Sequence, residues 1–577
     1  MATFLRLVNV YSGRIEVFSL STIPKYVAIS HVWQDHLFDI ATCRGASTLK
    51  GVVAHFLPNV QYCWVDTLCI LQDNDEDKAA QIPLMGQIYS GTQLVVVMMD
   101  QQLGITQSDV YDMEEDLADL LRLDDFQVSI REYDAQWRSG RGRHLLVSAY
   151  KYISRLTVSD WCTRAWTMQE YALAKDVIWV GSDRSPIRIA DKTISAIIHY
   201  CHVYGAPECG GPHRLSTCIA GMVNFRLGEL DRGRVMELMA FRDAFIEHDL
   251  NYGAMAASGT IIPVDYTIPP KAVWLRWCEE TVHQGRLRMA LLPTYQFDDQ
   301  SNEGCAFPAF SARAASSCIP LHEVSPIVPA SVVHGAITMY GRFVGHCEVV
   351  KRLPVLSSDE RQIRPPSVYA LILFTEGDLH QAYNVVKALG GGNFDEVQTS
   401  DIAQMLVEHY EDALQAVTKN FDQGIETRFR DKDHERAWQS YIYWYQESSL
   451  WIRQGIPYLV RIEGRGTSTY TVCSSREEMT SEKYLTLDFN AKSGMYRRSL
   501  MLVSRPKSAS SYHKVAMTGL ISPFGYQHMT GDFNHFKPCA SPQLEKFEIG
   551  GSKCETCSLL KQEPTNHSSA SESRDPS

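Results

Sequence analysis

Five side chains within the first 170 residues have types and positions suited to chemistry: Ser30, Trp33, Asp66, Trp166 and Glu170. Glu170 follows Trp166 by one helical turn in a stretch with apolar residues at helical spacing. Trp161, Ala165, Met168 and Ala172 fall on one face, and Cys162, Trp166, Gln169 and Leu173 on another. A helix that is apolar on both flanks is largely buried, so Glu170 should be desolvated beside an indole. Its carboxyl should then titrate above the usual range unless a cation pairs with it. A carboxylate so placed can stabilise an oxocarbenium-like sugar centre, as glycosidase carboxylates do. It can equally be a structural group bonded to an arginine or to backbone amides. Asp66 closes an apolar run, a position suited to a ligand contact and also to an N-cap or turn. Ser30 and Trp33 close an earlier run, where an indole either stacks on a heteroaromatic ring or fills core. Arg164 stands four residues after Asp160, and its plainest role is an i,i+4 ion pair.

The elements that must position these residues alternate in type. Residues 26–32, 62–65, 94–99 and 177–180 read as short strands, the third apolar throughout and suited to burial on both faces. Helical signals separate them at 48–56, at 76–89 despite Pro83, around 113–123, and from Ser159 or Asp160 to Ala174. Strands alternating with helices imply βαβ units and an α/β domain with a parallel sheet flanked by helices. Ligand groups in such sheets gather at the carboxyl ends of the strands. Ser30, Trp33, Asp66 and Glu170 are therefore expected to converge, although up to 140 positions separate them.

A chain of 577 residues has room for more than one core. We assign 1–187 to the α/β domain and 188–270 to a helical extension and linker. Residues 227–249 read as helical there, and Pro263, Pro269 and Pro270 punctuate the end. Residues 271–540 read as a mixed α+β region, with helices at 402–417 and 434–451 and strands at 458–462, 469–473 and 500–503. Residues 541–577, rich in Ser and Glu toward the end, read as a largely disordered tail. A net charge of -12 argues against a nucleic-acid partner, which would call for a basic face. No apolar run reaches the ~20 residues of a membrane span. The first residues lack the pattern of a secretory signal, and fifteen scattered cysteines suit reduced thiols, so a cytoplasmic protein is expected. The Cys554–Cys557 pair has no second CxxC, and no metal site is assigned.

Three segments carry a family resemblance. They are Tyr26-Val-Ala-Ile-Ser30-His31-Val-Trp33, then Tyr62-Cys-Trp64-Val-Asp66-Thr-Leu-Cys69-Ile70-Leu-Gln72-Asp73, then Trp161-Cys-Thr-Arg164-Ala-Trp166-Thr-Met-Gln169-Glu170. In this order and spacing they resemble the fungal heterokaryon-incompatibility (HET) domain. Gln34 and Leu71 depart from its pattern, which has glycine and asparagine there, and residues 242–266 resemble the segment that often comes after the domain. HET domains are in turn regarded as relatives of Toll/interleukin-receptor (TIR) domains, some of which cleave NAD. The resemblance implies a TIR/flavodoxin-like sheet and a role in non-self recognition or regulated cell death. It further implies self-association, an unidentified protein partner, and NAD as substrate with no bound cofactor. By position in the fold, Glu170 would be the catalytic carboxylate, with Ser30, Trp33, Asp66 and Trp166 lining the substrate. A non-catalytic assembly module, or recruitment to another pathway such as secondary metabolism, fits the same residues.

Overall fold

The computed structural model describes residues 4–32, 57–99, 102–124, 159–204, 215–291, 330–352, 456–518 and 545–549, apart from short interruptions within them. Trp33, the expected 48–56 helix apart from helical Val53, and both helices expected between 402 and 451 lie outside the described residues. The chain divides into two compact units, Met1–Val273 and Trp274–Ser577.

The first unit is built on a seven-stranded mixed sheet. Its parallel centre consists of β3 (Tyr26–Ser30), β4 (Tyr62–Val65), β5 (Val95–Met98) and β6 (Val177–Val180), the four strands expected from the sequence. They are ordered β4-β3-β5-β6, and every neighbouring pair among them is parallel. The chain thus leaves β3 toward one side, reaches β4, and crosses back to the other side to form β5. That reversal makes a crevice at the carboxyl ends of β3 and β5. Every residue of β3, β5 and β6 is buried, as strands covered on both faces must be. An antiparallel hairpin not expected from the sequence, β1 (Phe4–Asn9) and β2 (Ile15–Ser19), extends the sheet beyond β4. A short β7 (Pro186–Ile187) closes the other edge.

Two expected helices are interrupted, each for a local reason. The 76–89 segment is α1 (Asp75–Gln81) and α2 (Met85–Gly91), joined by a 3-10 turn at Ile82–Leu84. Pro83 sits in that turn because it has no N–H to give an α-helical bond. The 159–174 segment is α3 (Asp160–Thr163) and α4 (Thr167–Ala172), with Arg164 in extended conformation between them (φ -76, ψ 140). Asp243 holds this break open by pairing in parallel with Arg164. Its N–H donates to the Thr163 carbonyl at 2.6 Å, and its own carbonyl accepts from Ala165 N at 2.9 Å. For the same reason residues 227–249 are less helical than expected. Their described residues contain the helical turn Val235–Leu238, and Asp243 spends both its backbone bonds on the α3–α4 break. A helix at Asp249–Ser258 (α5) then packs close to this turn. A Cβ at Gly253 would lie 3.0 Å from the Ala165 carbonyl oxygen, so any larger residue would have to push the break's backbone aside.

The described strands of the second unit make one antiparallel sheet that closes on itself. β9 (Ala336–Arg352) pairs along one part of its length with β12 (Tyr484–Ser493) and along another with β10 (Ile456–Glu463). β11 (Ser468–Ser475), β14 (His513–Thr518) and β13 (Arg497–Ser504) complete a six-stranded barrel in the order β9-β10-β11-β14-β13-β12. The three strands expected at 458–462, 469–473 and 500–503 lie inside β10, β11 and β13. The described part of this region is therefore β-rich rather than evenly mixed. Val344, Tyr458, Val460, Ile462, Leu500 and Leu502 fill the barrel core. The β9–β12 register shifts beside Gly345, where a Cβ would collide with the Glu463 carbonyl oxygen at 2.0 Å. β8 (Ser331–Val333) and β15 (Glu545–Ile549) pair with the outer half of β9, and β15 falls within the stretch that composition marks as tail.

One buried ion pair fixes the segment after β4 against the hairpin. Arg6 on β1 makes a two-pronged contact with Asp77 on α1, at 2.7 and 2.8 Å, and its guanidinium also donates to the Cys69 carbonyl at 3.0 Å. Asp77 in turn accepts from Leu71 N at 2.8 Å. Burial alone would raise the Asp77 carboxyl, but Arg6 and the Leu71 N–H hold it below its ordinary value. Replacing Arg6 by Leu leaves a buried carboxylate without its cation. It is expected to destabilise the first unit by about 3–5 kcal/mol, measured by denaturant unfolding at neutral pH. A loss below about 1 kcal/mol, the range of an exposed pair, would show that the contact is not structural.

Candidate functional site

The parallel register brings the first two site residues together. Ile29 pairs with Val65, so Ser30 and Asp66, each the next residue along, lie side by side at the carboxyl edge of the sheet. Glu170 reaches the same point from α4. The Ser30 hydroxyl donates to Glu170 Oε2 and accepts from Trp161 Nε1 at 2.6 Å. This indole-to-hydroxyl-to-carboxylate chain is possible because the α3–α4 break allows Trp161 and Glu170 to face the same strand end. On the unbroken helix read from the sequence they belong to different faces. Trp161 also meets Trp179 and Tyr171 edge-on, which fixes the donor.

Glu170 is 3% exposed. Burial, and then the charge of Asp66, push its carboxyl up from 4.5 to about 7; the Ser30 hydroxyl, Arg164 and His31 act the other way. The desolvation expected from the sequence is thus present, and the indole whose N–H reaches the Ser30–Glu170 pair is that of Trp161. Tyr89 lies against the same carboxylate, and burial together with the Glu170 charge holds its phenol well above the ordinary range. Asp66 opens a one-turn helix and accepts from Thr67 N at 2.7 Å. Its Oδ1 is 3.3 Å from Nε2 of buried His31. Arg164, freed from helical geometry by the break, donates to the His31 carbonyl at 2.8 Å instead of being confined to the i,i+4 role.

A cavity of about 1070 Å³ opens beside this cluster. Asp66, Arg164 and Trp166 line it, whereas Ser30 and Glu170 sit behind its wall. Residues from beyond the α/β core complete the wall, among them Asp243, Phe245, His248, Asp249 and Tyr266. Asp249 accepts from the Tyr266 hydroxyl at 2.8 Å and from the Trp166 side chain. Burial raises the Asp249 carboxyl above its ordinary value against the pull of these bonds. The structure thus joins Ser30, Asp66 and Glu170 and sets Trp166 on the cavity wall. His31, Tyr89, Trp161, His248 and Asp249 were not assigned to the site from the sequence. Of these, His31 and Trp161 stood inside the quoted motif segments, while His248 carried no signal of its own.

Arg242 braces the whole arrangement. Buried to 4% exposure, it donates to the Arg164 carbonyl at 2.7 Å and to the Thr167 hydroxyl at 2.9 Å. Thr167 in turn donates to the Trp161 carbonyl at 2.7 Å.

Residues 26–170 match the family model described as Heterokaryon incompatibility protein (HET). The chain is also similar to heterokaryon incompatibility protein 6, OR allele, of Neurospora crassa. The two are 25% identical over 232 residues, covering 33% of this chain and 33% of that protein. The chain therefore aligns with about a third of the length of that curated relative. No solved structure matches it. The matched stretch runs from Tyr26 of β3 to Glu170 of α4 and contains all three segments that carry the resemblance; these two elements meet at the Ser30–Glu170 contact.

The Glu170 carboxyl binds its proton more tightly in the fold than in the unfolded chain. Its contribution favours the folded state below pH 4.5 and is lost as the pH rises through about 7. The whole effect is on the order of 3 kcal/mol. Glu170→Gln should remove it, so the variant should gain stability relative to the parent between pH 5 and pH 8. Thermal melts of both chains at the two pH values test this, and a constant difference would place the Glu170 carboxyl in its ordinary range.

Proposed function

We propose that this is a fungal HET-type protein acting in non-self recognition or regulated cell death, and that its N-terminal unit acts by hydrolysing NAD. The incompatibility part rests on the matched residues and on the named relative. The chemical part rests on one observation, the buried Glu170–Ser30 pair at the carboxyl edge of the sheet, beside a cavity lined by Asp66, Arg164 and Trp166. The strand order β4-β3-β5-β6 supports the reading, since it is the order of flavodoxin-like sheets, which bind nucleotides at the β3/β5 reversal.

In the reaction, the bond between ribose C1′ and the pyridinium nitrogen breaks, and its electron pair neutralises the ring. Water then adds to the oxocarbenium carbon and loses a proton. The products are ADP-ribose, nicotinamide and a proton. Ionised Glu170 stabilises the positive carbon, so the rate should rise with pH through about 7. Glu170 does not line the cavity, so this role requires the wall formed by Arg164 and Asp66 to part as substrate binds. That same observation favours a second reading, a non-catalytic assembly module in which Ser30 and Glu170 satisfy each other as structure.

Incubation of concentrated full-length protein with NAD separates the two. On the first reading nicotinamide is released, and Glu170→Gln lowers the rate by about 10²-fold or more while the fold is kept. On the second no nicotinamide appears, and loss of biological effect comes instead from substitutions on an exposed face of the unit. Release at equal rates from both chains would remove Glu170 from the reaction.

A further inference from the structure

A phenylalanine side chain stands uncovered at the cavity. Phe245 lines it and is 100% exposed, and the next residue, Ile246, lines it and is exposed as well. Leu71, flanked in sequence by the lining residues Ile70 and Gln72, is a third exposed apolar side chain. Apolar side chains exposed singly are ordinary, but a group of them at one concavity marks an interaction surface.

The backbone on either side of Phe245 is fixed. Asp243 gives both its bonds to the α3–α4 break, and the Ile246 carbonyl accepts from Asp249 N at 2.9 Å at the start of α5. Buried Arg242 anchors the chain just before. The fold therefore displays this ring from a set position, and little backbone ordering is left to be done when a partner covers it.

Charge selects the partner. Five aspartates line the cavity against two permanent cations, Lys78 and Arg164. Both cations are engaged, since Lys78 Nζ is 3.2 Å from Asp75 and Arg164 donates to the His31 carbonyl. Asp75, Asp160 and Asp243 are exposed, and the last two have no side-chain partner among the described residues. Nucleic acid or an anionic lipid surface would be repelled by this rim. Arginine and lysine would be attracted, and a guanidinium matches a carboxylate in geometry as well as charge. A concavity of about 1070 Å³ has room for several side chains of one extended segment.

We propose that this concavity is a docking surface for a basic, aliphatic segment of a partner protein. Its arginines or lysines pair with Asp75, Asp160 and Asp243, and its apolar side chains cover Phe245 and Ile246. The surface combines residues of the HET match with residues beyond it, and it does not depend on the hydrolysis reading.

The probe is a fluorescent synthetic peptide of alternating arginine and leucine, titrated into full-length protein and read by anisotropy. Binding is expected, and it should weaken as salt rises from ~0.05 M to ~0.5 M, because screening shortens the reach of exposed charges. Phe245→Ser should weaken it about tenfold, as loss of an aromatic anchor does. Asp160→Asn combined with Asp243→Asn should weaken it by about the same factor. All three substitutions change exposed side chains, so thermal melts should match the parent's. As a control, Asp112→Asn combined with Glu115→Gln removes two exposed charges from the helix at Gln107–Asp124, outside the cavity lining, and should leave binding unchanged. Equal losses from the two double variants would mean attraction to the overall negative charge and would overturn the site. The proposal also falls if the peptide does not bind, if Phe245→Ser binds it as the parent does, or if a glutamate–leucine peptide binds equally well. Phe245-dependent binding to phosphatidylglycerol vesicles would overturn it in favour of a membrane surface.

Discussion

A carboxyl group buried at the edge of a parallel sheet must be supplied with donors, and the N-terminal unit is arranged around meeting that requirement for Glu170. Ser30 donates to it, Trp161 donates to Ser30, and Arg164 and His31 offset part of the Asp66 charge. The compensation is incomplete, which is why the group titrates near 7 rather than in the ordinary carboxylate range. A site fully neutralised by a close cation would be a better structural element and a poorer acid–base or electrostatic one. The register of β3 and β4 imposes the residual strain, because it sets Asp66 beside Ser30 and so brings a second carboxylate toward the first.

The second requirement is a helix that stops and restarts. An unbroken helix from Asp160 onward would carry Trp161 and Glu170 to different faces and keep Arg164 on a helical side. The break is held from outside, by the backbone of Asp243 and the guanidinium of Arg242, both contributed about 70 residues after the site. The residues beyond the matched HET stretch thus determine the geometry inside it. The compact unit accordingly extends to Val273 and includes the segment that the sequence alone marks as extension and linker. The same segment supplies about a third of the residues that line the cavity, so the cavity is built jointly by the matched stretch and by this extension.

The second unit solves a different problem. An open antiparallel sheet would leave two exposed edges, and the β9–β10 pairing joins the edges of the six barrel strands. One long strand shared between two partners, with glycine at the close approach of Glu463, achieves that closure. Its apolar interior is filled by side chains such as Tyr458, Val460 and Leu502, as expected of a small packed barrel.

Much of this was decided locally and could be read from the residues. The four central strands were legible because a strand covered on both faces must be apolar throughout, and short runs of that character stand out in the first 180 residues. A cap at Ser159 or Asp160 was legible because both residue types can accept from the first turn, and Ser159 is the one that does so, from Cys162 N at 3.2 Å. The convergence of Ser30, Asp66 and Glu170 came from parallel topology, which collects strand ends on one edge. The break between Thr163 and Thr167 was not legible. Its cause is a pairing with Asp243, and periodicity over residues 160–174 contains no trace of a partner so far along the chain. The approach of the Trp161 indole to Ser30 depends on that break. The burial of His248 depends on a carbonyl at Ile268 and on two tyrosine rings. Contacts of this kind are made by the assembled chain, so only the tertiary structure could decide them.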